Sequence, residues 1–179
     1  MPMPSFRLLV PGDVHAYRAL RLRCLRECPT AFGTSPDEEA AVPLDVLAAR
    51  LAPRPGGGLW GAFDEAGALV ALARAERSPK RKCAHTATLT HVYVAPEARG
   101  QGTGEALLRA VLAYAADVLG VERVTLGVEA TNRAATALYE RLGFETTGVE
   151  RDFLRTGGVS CDLRLMSCAL LPPPTPLPP

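Results

Sequence analysis

The stretch that most constrains the fold runs from residue 84 to residue 104, AHTATLTHVYVAPEARGQGTG. Residues 86–94 are rich in Thr, Val and Tyr, a composition that favours a β-strand. Ala95-Pro96 ends the strand because proline cannot donate to a ladder. An arginine and three alternate glycines follow, and an apolar stripe at helical spacing then begins at Leu107. The stretch therefore predicts a strand, a glycine loop over residues 99–104, and a helix.

The glycine loop predicts a binding site for a phosphorylated ligand. Glycines at 100, 102 and 104 let backbone N–H groups turn toward one point without interference from Cβ atoms. The helix that follows adds the positive end of its dipole, which suits an anion. Arg99 can add a charge-assisted hydrogen bond.

Two other phosphate loops fit less well. A Walker loop needs Gly-Lys-Ser/Thr before the helix, and residues 99–104 contain no lysine. A dinucleotide fingerprint needs G-x-G-x-x-G, whereas the spacing here is G-x-G-x-G. Glu122 stands about where such a site carries its ribose-binding acid, about 20 residues on, so a dinucleotide site stays open as an alternative.

A second motif follows about forty residues later: Asn132-Arg133-Ala134-Ala135-Thr136-Ala137-Leu138-Tyr139-Glu140-Arg141-Leu142-Gly143-Phe144. The first motif, Val94-x-Pro96-x-x-Arg99-Gly100-x-Gly102-x-Gly104, resembles the acetyl-coenzyme A loop of the GCN5-related N-acetyltransferases (GNAT). The second is similar to that family's N-x-x-A-x-x-L-Y-x-x-x-G-F signature. Two motifs in the right order and at the right distance form a specific signal.

The resemblance implies an α/β (α+β) acyl-CoA N-acyltransferase fold, with a mixed, mostly antiparallel sheet of about seven strands and helices on both faces. Acetyl-coenzyme A would be the co-substrate, and no metal is expected. The pyrophosphate would bind the loop, and the pantetheine arm would pair with the main chain of strand 86–94 where it splays from strand 123–129. The expected cofactor-binding residues are Val92, Tyr93, Val94, Arg99, Gly100, Gln101, Gly102, Thr103, Gly104, Asn132 and Ala135.

Tyr139 matches the family tyrosine that acts as general acid to the departing thiolate. It also shares an apolar helical stripe with Ala135, Leu138 and Leu142, so plain packing is the alternative. Asn132 also has two possible roles: its side chain can cap the helix or contact the cofactor.

The general base is not decided by the sequence. Many relatives carry a glutamate on the strand about six residues before the position of Val94; Thr88 stands there in this chain and cannot accept a proton near neutral pH. Glu129 and Glu76, on flanking strands and acting through ordered water, are the first candidates. His91 comes next, because its strand parity is opposite and only a bulge would bring it to the same face.

The acceptor is expected to be a primary amine of a small molecule or a peptide. In the family, the helix–loop–helix region near residues 29–51 closes over the acceptor, which makes Phe32 a candidate substrate contact beside Thr88. Phe32 as a plug that anchors its loop is an equal alternative. The arginines at 18, 21, 23 and 26 of the first helix are interpreted as a solvated face.

Length and composition predict one domain over residues 1–171 with a proline-rich tail at 172–179. A formal net charge of +1 argues against nucleic acid or an anionic membrane as partner. The start MPMPSFRLL lacks the layout of a signal peptide, and the five cysteines have no C-x-x-C spacing, so the expectation is a cytoplasmic monomer or homodimer with buried thiols. A metal pair at Cys24 and Cys28 is the less favoured alternative.

The function predicted is transfer of acetyl from acetyl-coenzyme A to an amine by direct attack in a ternary complex. Two alternatives remain. One is a non-catalytic acyl-coenzyme A sensor, supported by the missing strand carboxylate. The other is a dinucleotide-binding oxidoreductase, which the antiparallel-looking first half does not favour.

Overall fold

This computed structural model describes residues 4–170, which form seven strands and five α-helices. The strands are β1 (Ser5–Leu8), β2 (Gly57–Phe63), β3 (Leu69–Arg77), β4 (Thr86–Val94), β5 (Arg123–Glu129), β6 (Glu145–Thr156) and β7 (Val159–Ala169). The helices are α1 (Val14–Glu27), α2 (Pro36–Ala41), α3 (Leu44–Leu51), α4 (Thr103–Asp117) and α5 (Arg133–Arg141). The proline-rich tail predicted at 172–179 lies outside the described residues.

The strands form one sheet of seven in the order β1-β2-β3-β4-β5-β7-β6. Every neighbouring pair is antiparallel except β4 and β5, which are parallel. The predicted mixed, mostly antiparallel sheet is therefore confirmed. The parallel pair requires a crossover, and α4 supplies it.

The alternating sequence of β3 distributes its side chains between the two faces of the sheet. Ala71, Ala73 and Ala75 are fully buried on one face. Trp60 lies opposite Ala73, and its ring is 5.5 Å from that of Tyr114, so this is the face that α4 covers. Leu72, Arg74 and Glu76 point to the other face, toward α1, α2 and α3. Small residues under α4 let that helix lie close to the sheet.

The β6–β7 hairpin is longer than the sequence predicted. The sequence pattern predicts strands over 144–149 and 162–169, whereas β6 runs to Thr156 and β7 starts at Val159 around a Gly157-Gly158 turn. Residues 150–156 are polar and largely exposed, so they carry little hydrophobic alternation. They form a strand because they pair with β7, and this long-range pairing cannot be read from the local sequence pattern.

No helix within residues 4–170 has both the length and the apolar character needed to cross a membrane.

Candidate active site

A gap opens between β4 and β5 at the centre of the sheet. The two strands pair only from Thr86 to Thr88, which lie opposite Arg123 to Thr125. β4 continues to Val94 and β5 to Glu129 without further pairing. The splay expected of these strands is confirmed, and it leaves main-chain groups of β4 facing a space that another extended group can enter.

The glycine loop lies at the end of this gap and is shaped by left-handed backbone. Gly100 has φ 72° and Gly102 has φ 78°, a region that other residues rarely adopt. Within residues 4–170, the N–H groups of Gly100, Gln101 and Gly102 donate to no protein acceptor, whereas the N–H of Arg99 donates to the Pro96 carbonyl at 3.2 Å. The run of N–H groups without a protein acceptor therefore begins at Gly100 rather than at Arg99, and Gly102 is the N-cap of α4.

The side chain of Arg99 turns back toward β4. Its Nε donates to the Val94 carbonyl at 2.9 Å, and its guanidinium carbon is 5.8 Å from the centre of the Tyr93 ring. The Tyr93 hydroxyl donates to Glu27 at 2.6 Å. Arg99 and Tyr93 thus tie the loop, β4 and the end of α1 together, and the Tyr93 side chain is directed away from the gap.

The second motif forms α5 and places Tyr139 on the buried side of that helix. Asn132 Oδ1 accepts from the Ala135 N–H at 3.1 Å, so Asn132 caps the helix as predicted. Tyr139 is 6% exposed, and its ring packs edge-on against Phe144 at 5.7 Å. Burial raises the pKa of its hydroxyl above the ordinary value, so the hydroxyl stays protonated. None of the hydrogen bonds among residues 4–170 uses this hydroxyl.

A bulge in β4 brings His91 to the face of Thr88 and Thr90. In the register of the two strands, Arg74 lies opposite Thr90 and Leu72 lies opposite Tyr93. Two residues of β4, His91 and Val92, therefore share one partner on β3, Ala73. His91 takes φ 56°, which is uncommon for a residue with a Cβ. The bulge on which the His91 hypothesis depended is therefore present, and it lies next to the gap.

On this face a cavity of about 420 Å³ lies between the sheet and α1, α2 and α3. Its walls include Tyr17 and His91 and carry an excess of positive charge. The charged residues are Arg21, Arg50, Arg54, Arg74, Glu39 and Glu76. Burial, followed by the charges of Arg21, Arg74 and Arg50, lowers the pKa of His91 to about 3. His91 is therefore neutral at physiological pH, with its imidazole facing a cationic surface.

Sequence reasoning missed this charged cavity. Arg21, interpreted above as part of a solvated face, is only 3% exposed. The signal was its spacing: Tyr17, Arg21 and Cys24 lie on one helical stripe and are all buried. Arg74 gave a second signal, as a charge inside the otherwise apolar run LVALARA.

The candidate carboxylates occupy different heights along the sheet. Glu76 lies opposite Thr88 and pairs with Arg54, and its Oε2 is 3.8 Å from Arg74 Nε. Glu129 ends β5, four residues beyond Thr125, and accepts from the Thr131 hydroxyl at 2.8 Å and the Thr131 N–H at 3.1 Å. Because the bulge places His91 and Val92 opposite one residue, Val92 is only three strand positions beyond Thr88, so Glu129 lies about one residue farther along the gap than Val92.

The two candidate substrate contacts lie near the cavity rather than in its wall. Thr88 is exposed between Glu76 and Thr125, its partners on the neighbouring strands. Phe32 packs against the core, and its ring is 4.7 Å from the guanidinium of Arg21. Phe32 therefore both anchors its loop and covers a charged wall of the cavity.

Within the described residues, no group of three or more His, Cys, Asp or Glu side chains is arranged to hold a metal ion. Cys24 is fully buried and Cys28 partly so, and burial raises the pKa of both thiols, that of Cys24 to about 12.

Comparison with known proteins identifies the family. The model described as the acetyltransferase (GNAT) family matches residues 20–144. Mycothiol acetyltransferase of Salinispora arenicola (strain CNS-205) is 34% identical over 168 residues, which cover 87% of this chain and 50% of that protein. The [ribosomal protein bS18]-alanine N-acetyltransferase of Escherichia coli (strain K12) is 40% identical over 70 residues, 39% of this chain and 47% of that protein. The chain spans about half the length of the curated relatives it matches.

Solved structures share the fold. The ribosomal-protein-alanine N-acetyltransferase of Brucella melitensis superposes with a TM-score of 0.78 at 28% identity, covering 93% of this chain and 99% of that one. A GNAT superfamily phosphinothricin acetyltransferase of Sinorhizobium meliloti, solved in complex with acetyl-coenzyme A, superposes with a TM-score of 0.79 at 23% identity. The superposition covers 95% of this chain and 90% of that one. Because the family model matches most of the 179 residues and the sheet has the same fold, the chain belongs to the GNAT acetyltransferase family.

Proposed function

We propose that this protein transfers the acetyl group of acetyl-coenzyme A to a primary amine of a small molecule or peptide. The observation that carries the proposal is the gap beyond Thr88 ending at a loop whose N–H groups at 100–102 donate to no protein acceptor within residues 4–170. A pyrophosphate satisfies such N–H groups, and an extended pantetheine arm pairs with an unpaired strand edge. Family membership and a neighbour solved with acetyl-coenzyme A support this choice of co-substrate.

The main chain of β4 carries the cofactor in this proposal. The pantetheine arm lies along residues 92–94, with the thioester near the bulge at His91 and Val92. A backbone N–H there polarises the thioester carbonyl and stabilises the oxyanion that forms on attack. Asn132 and Ala135, at the start of α5, lie on the other side of the arm.

Tyr139 protonates the departing coenzyme A thiolate. The buried hydroxyl is protonated before the reaction because burial raises its pKa. In this proposal it donates that proton to the sulfur as the carbon–sulfur bond breaks. The lack of a protein partner for this hydroxyl among residues 4–170 leaves it available for the sulfur.

Glu129 is the preferred candidate for removing the amine proton through water. It lies about one residue beyond the level of Val92 across the gap, whereas Glu76 lies opposite Thr88, three residues from that level, or about 10 Å at about 3.3 Å per residue. Glu76 is also engaged by Arg54. His91 touches the cavity, but a pKa of about 3 makes it a weak base toward an ammonium group.

Direct attack in a ternary complex is favoured over a covalent acetyl-enzyme. A cysteine nucleophile must be a thiolate, and burial raises the pKa of Cys24, Cys28 and Cys168. We also propose that the protein is cytoplasmic and acts as a monomer or a homodimer.

The test is a screen of amines with acetyl-coenzyme A that follows free thiol, beside thermal shift with acetyl-coenzyme A and with NAD(H). We expect stabilisation by acetyl-coenzyme A and thiol release with at least one amine. Stabilisation by NAD(H) alone would reject the proposal, and binding of acetyl-coenzyme A without turnover of any amine would favour a sensor.

A further inference from the structure

The cavity beside His91 holds more positive than negative charge. Four arginines and two glutamates contribute to its walls. Glu76 forms an ion pair with Arg54, and its Oε2 lies 3.8 Å from Arg74 Nε. Glu39 accepts a hydrogen bond from the Tyr17 hydroxyl at 3.4 Å. Within residues 4–170, Arg21 and Arg50 have no carboxylate oxygen within 4 Å of their guanidinium nitrogens.

Arg21 is the least satisfied of these groups. Its side chain is buried, and its Nε has no hydrogen-bond partner among the described residues. Its Nη1 donates a weak hydrogen bond to the Cys24 sulfur at 3.9 Å, and its guanidinium carbon is 4.7 Å from the centre of the Phe32 ring. A guanidinium has five N–H donors, and a buried charge without a counter-ion is costly. The structure therefore holds an arginine fork that an anion would complete.

Arg74 faces the same space from the sheet. Its Nε also lacks a hydrogen-bond partner within residues 4–170, since Glu76 at 3.8 Å is beyond bonding distance. Its Nη2 reaches only the Arg50 carbonyl, at 3.4 Å. Both guanidinium groups come from rigid elements, α1 and β3, on opposite walls of the cavity.

We propose that the acceptor amine also carries a carboxylate, which Arg21 and Arg74 bind in this cavity. The inference rests on the proposed acetyl transfer, because His91 at the bulge links the cavity to the expected thioester position. An amino acid or aminocarboxylate places its anionic end on the arginines and its amine toward the gap. Arginine suits this role because its planar fork matches a carboxylate with two parallel hydrogen bonds.

The test compares matched pairs of acceptors: L-α-amino acids and ω-amino acids, each beside its own carboxamide, with acetyl-coenzyme A and detection of free thiol. We expect kcat/KM to be at least ten-fold higher for the acid than for the amide in the best pair, mainly through KM. The amine of an α-carboxamide is the weaker base, so more of it is unprotonated at a given pH. A preference for the acid would therefore act against that bias.

Variants assign the preference to the cavity. Arg74→Gln and Arg21→Gln are each expected to lower the acid preference at least ten-fold, while Arg26→Gln, an exposed arginine of α1 outside the cavity, retains it. Arg74 is only partly buried, so Arg74→Gln is expected to fold. It therefore tests the proposal even if Arg21→Gln does not fold. Calorimetric titration of the acid and the amide into protein saturated with coenzyme A gives a readout independent of turnover.

Two failures are distinguishable. Thiol release with amides equal to or faster than with acids would overturn the carboxylate inference and leave acetyl transfer standing, as would an acid preference unchanged in Arg74→Gln. Acetyl-coenzyme A that does not bind would overturn the proposed function itself, and with it this inference.

Discussion

Gly104 and Val94 meet where α4 begins and β4 ends: a Cβ built on Gly104 would lie 3.1 Å from Cγ2 of Val94. The same Cβ would lie 3.6 Å from Cδ2 of Leu138 in α5. The missing side chain therefore lets the first turn of α4 approach the strand and brings the glycine loop to the end of the gap.

We expect Gly104→Ala to lower the free energy of unfolding by about 1 kcal/mol, because the strain of overpacking, about 1–3 kcal/mol, exceeds the helix propensity that alanine gains. Affinity for acetyl-coenzyme A should fall as well. Urea unfolding measures the first effect and calorimetry the second. Gly33→Ala, where a Cβ meets nothing within 4 Å, is the control. If the contact with Val94 is the cause, Gly104→Ala should cost less in a Val94→Ala background, and an equal cost in both backgrounds would exclude it.

Gly102→Glu tests the anion cradle predicted over residues 99–104. The substitution places a negative charge at the N-cap of α4 and forces a residue with a Cβ to φ 78°. We expect binding of acetyl-coenzyme A to be lost, with a fall in unfolding free energy of about 1–2 kcal/mol from the backbone alone. Gly67→Glu is a matched control because Gly67 has the same φ and equally open surroundings in the β2–β3 turn. Both variants should lose similar stability, and unchanged affinity in Gly102→Glu would contradict the cradle.

Tyr139→Phe tests the general acid. Because the hydroxyl has no hydrogen-bond partner within residues 4–170, its removal should change stability little, whereas turnover should fall at least ten-fold with nearly unchanged affinity for acetyl-coenzyme A. Tyr114→Phe, a partly buried tyrosine of α4 packed on Trp60, is the control and should keep full turnover. Steady-state kinetics and calorimetry separate the two effects. Wild-type turnover in Tyr139→Phe would remove this residue from the chemistry.

His91 predicts a pH dependence of stability. Its pKa is about 3 in the folded protein and near 6.5 when unfolded, so between these values the unfolded chain binds a proton that the folded chain does not. The free energy of unfolding should therefore fall as the pH decreases from 6.5 toward 3, with a contribution from His91 of up to about 1.4 kcal/mol per pH unit.

His91→Gln should flatten that part of the curve, and His15→Gln, at an exposed position of α1, should not. Urea unfolding between pH 4 and pH 8 measures the slopes. Parallel curves for the wild type and His91→Gln would contradict the assigned burial beside Arg21 and Arg74.

Local sequence was sufficient for the glycine loop and for the start of α5. The spacing of Gly100, Gly102 and Gly104 after a strand predicts the loop, because left-handed backbone and close helix packing are properties of single residues and their immediate neighbours. Asn132 as helix cap, and Tyr139 on the buried stripe of its helix, follow from helical periodicity for the same reason. The opening of β4 from β5 was expected only from the resemblance to the GNAT family that the two motifs carry.

The charged cavity was decided only by tertiary structure. Whether His91 faces the cavity depends on a bulge, which is a mismatch in register between β3 and β4 and belongs to neither strand alone. Arg21 and Arg74 are 53 positions apart in the sequence and become one charged site only when α1 packs across β3. Backbone conformation is largely a local property of the chain, whereas burial and electrostatic environment depend on which distant segments cover a residue.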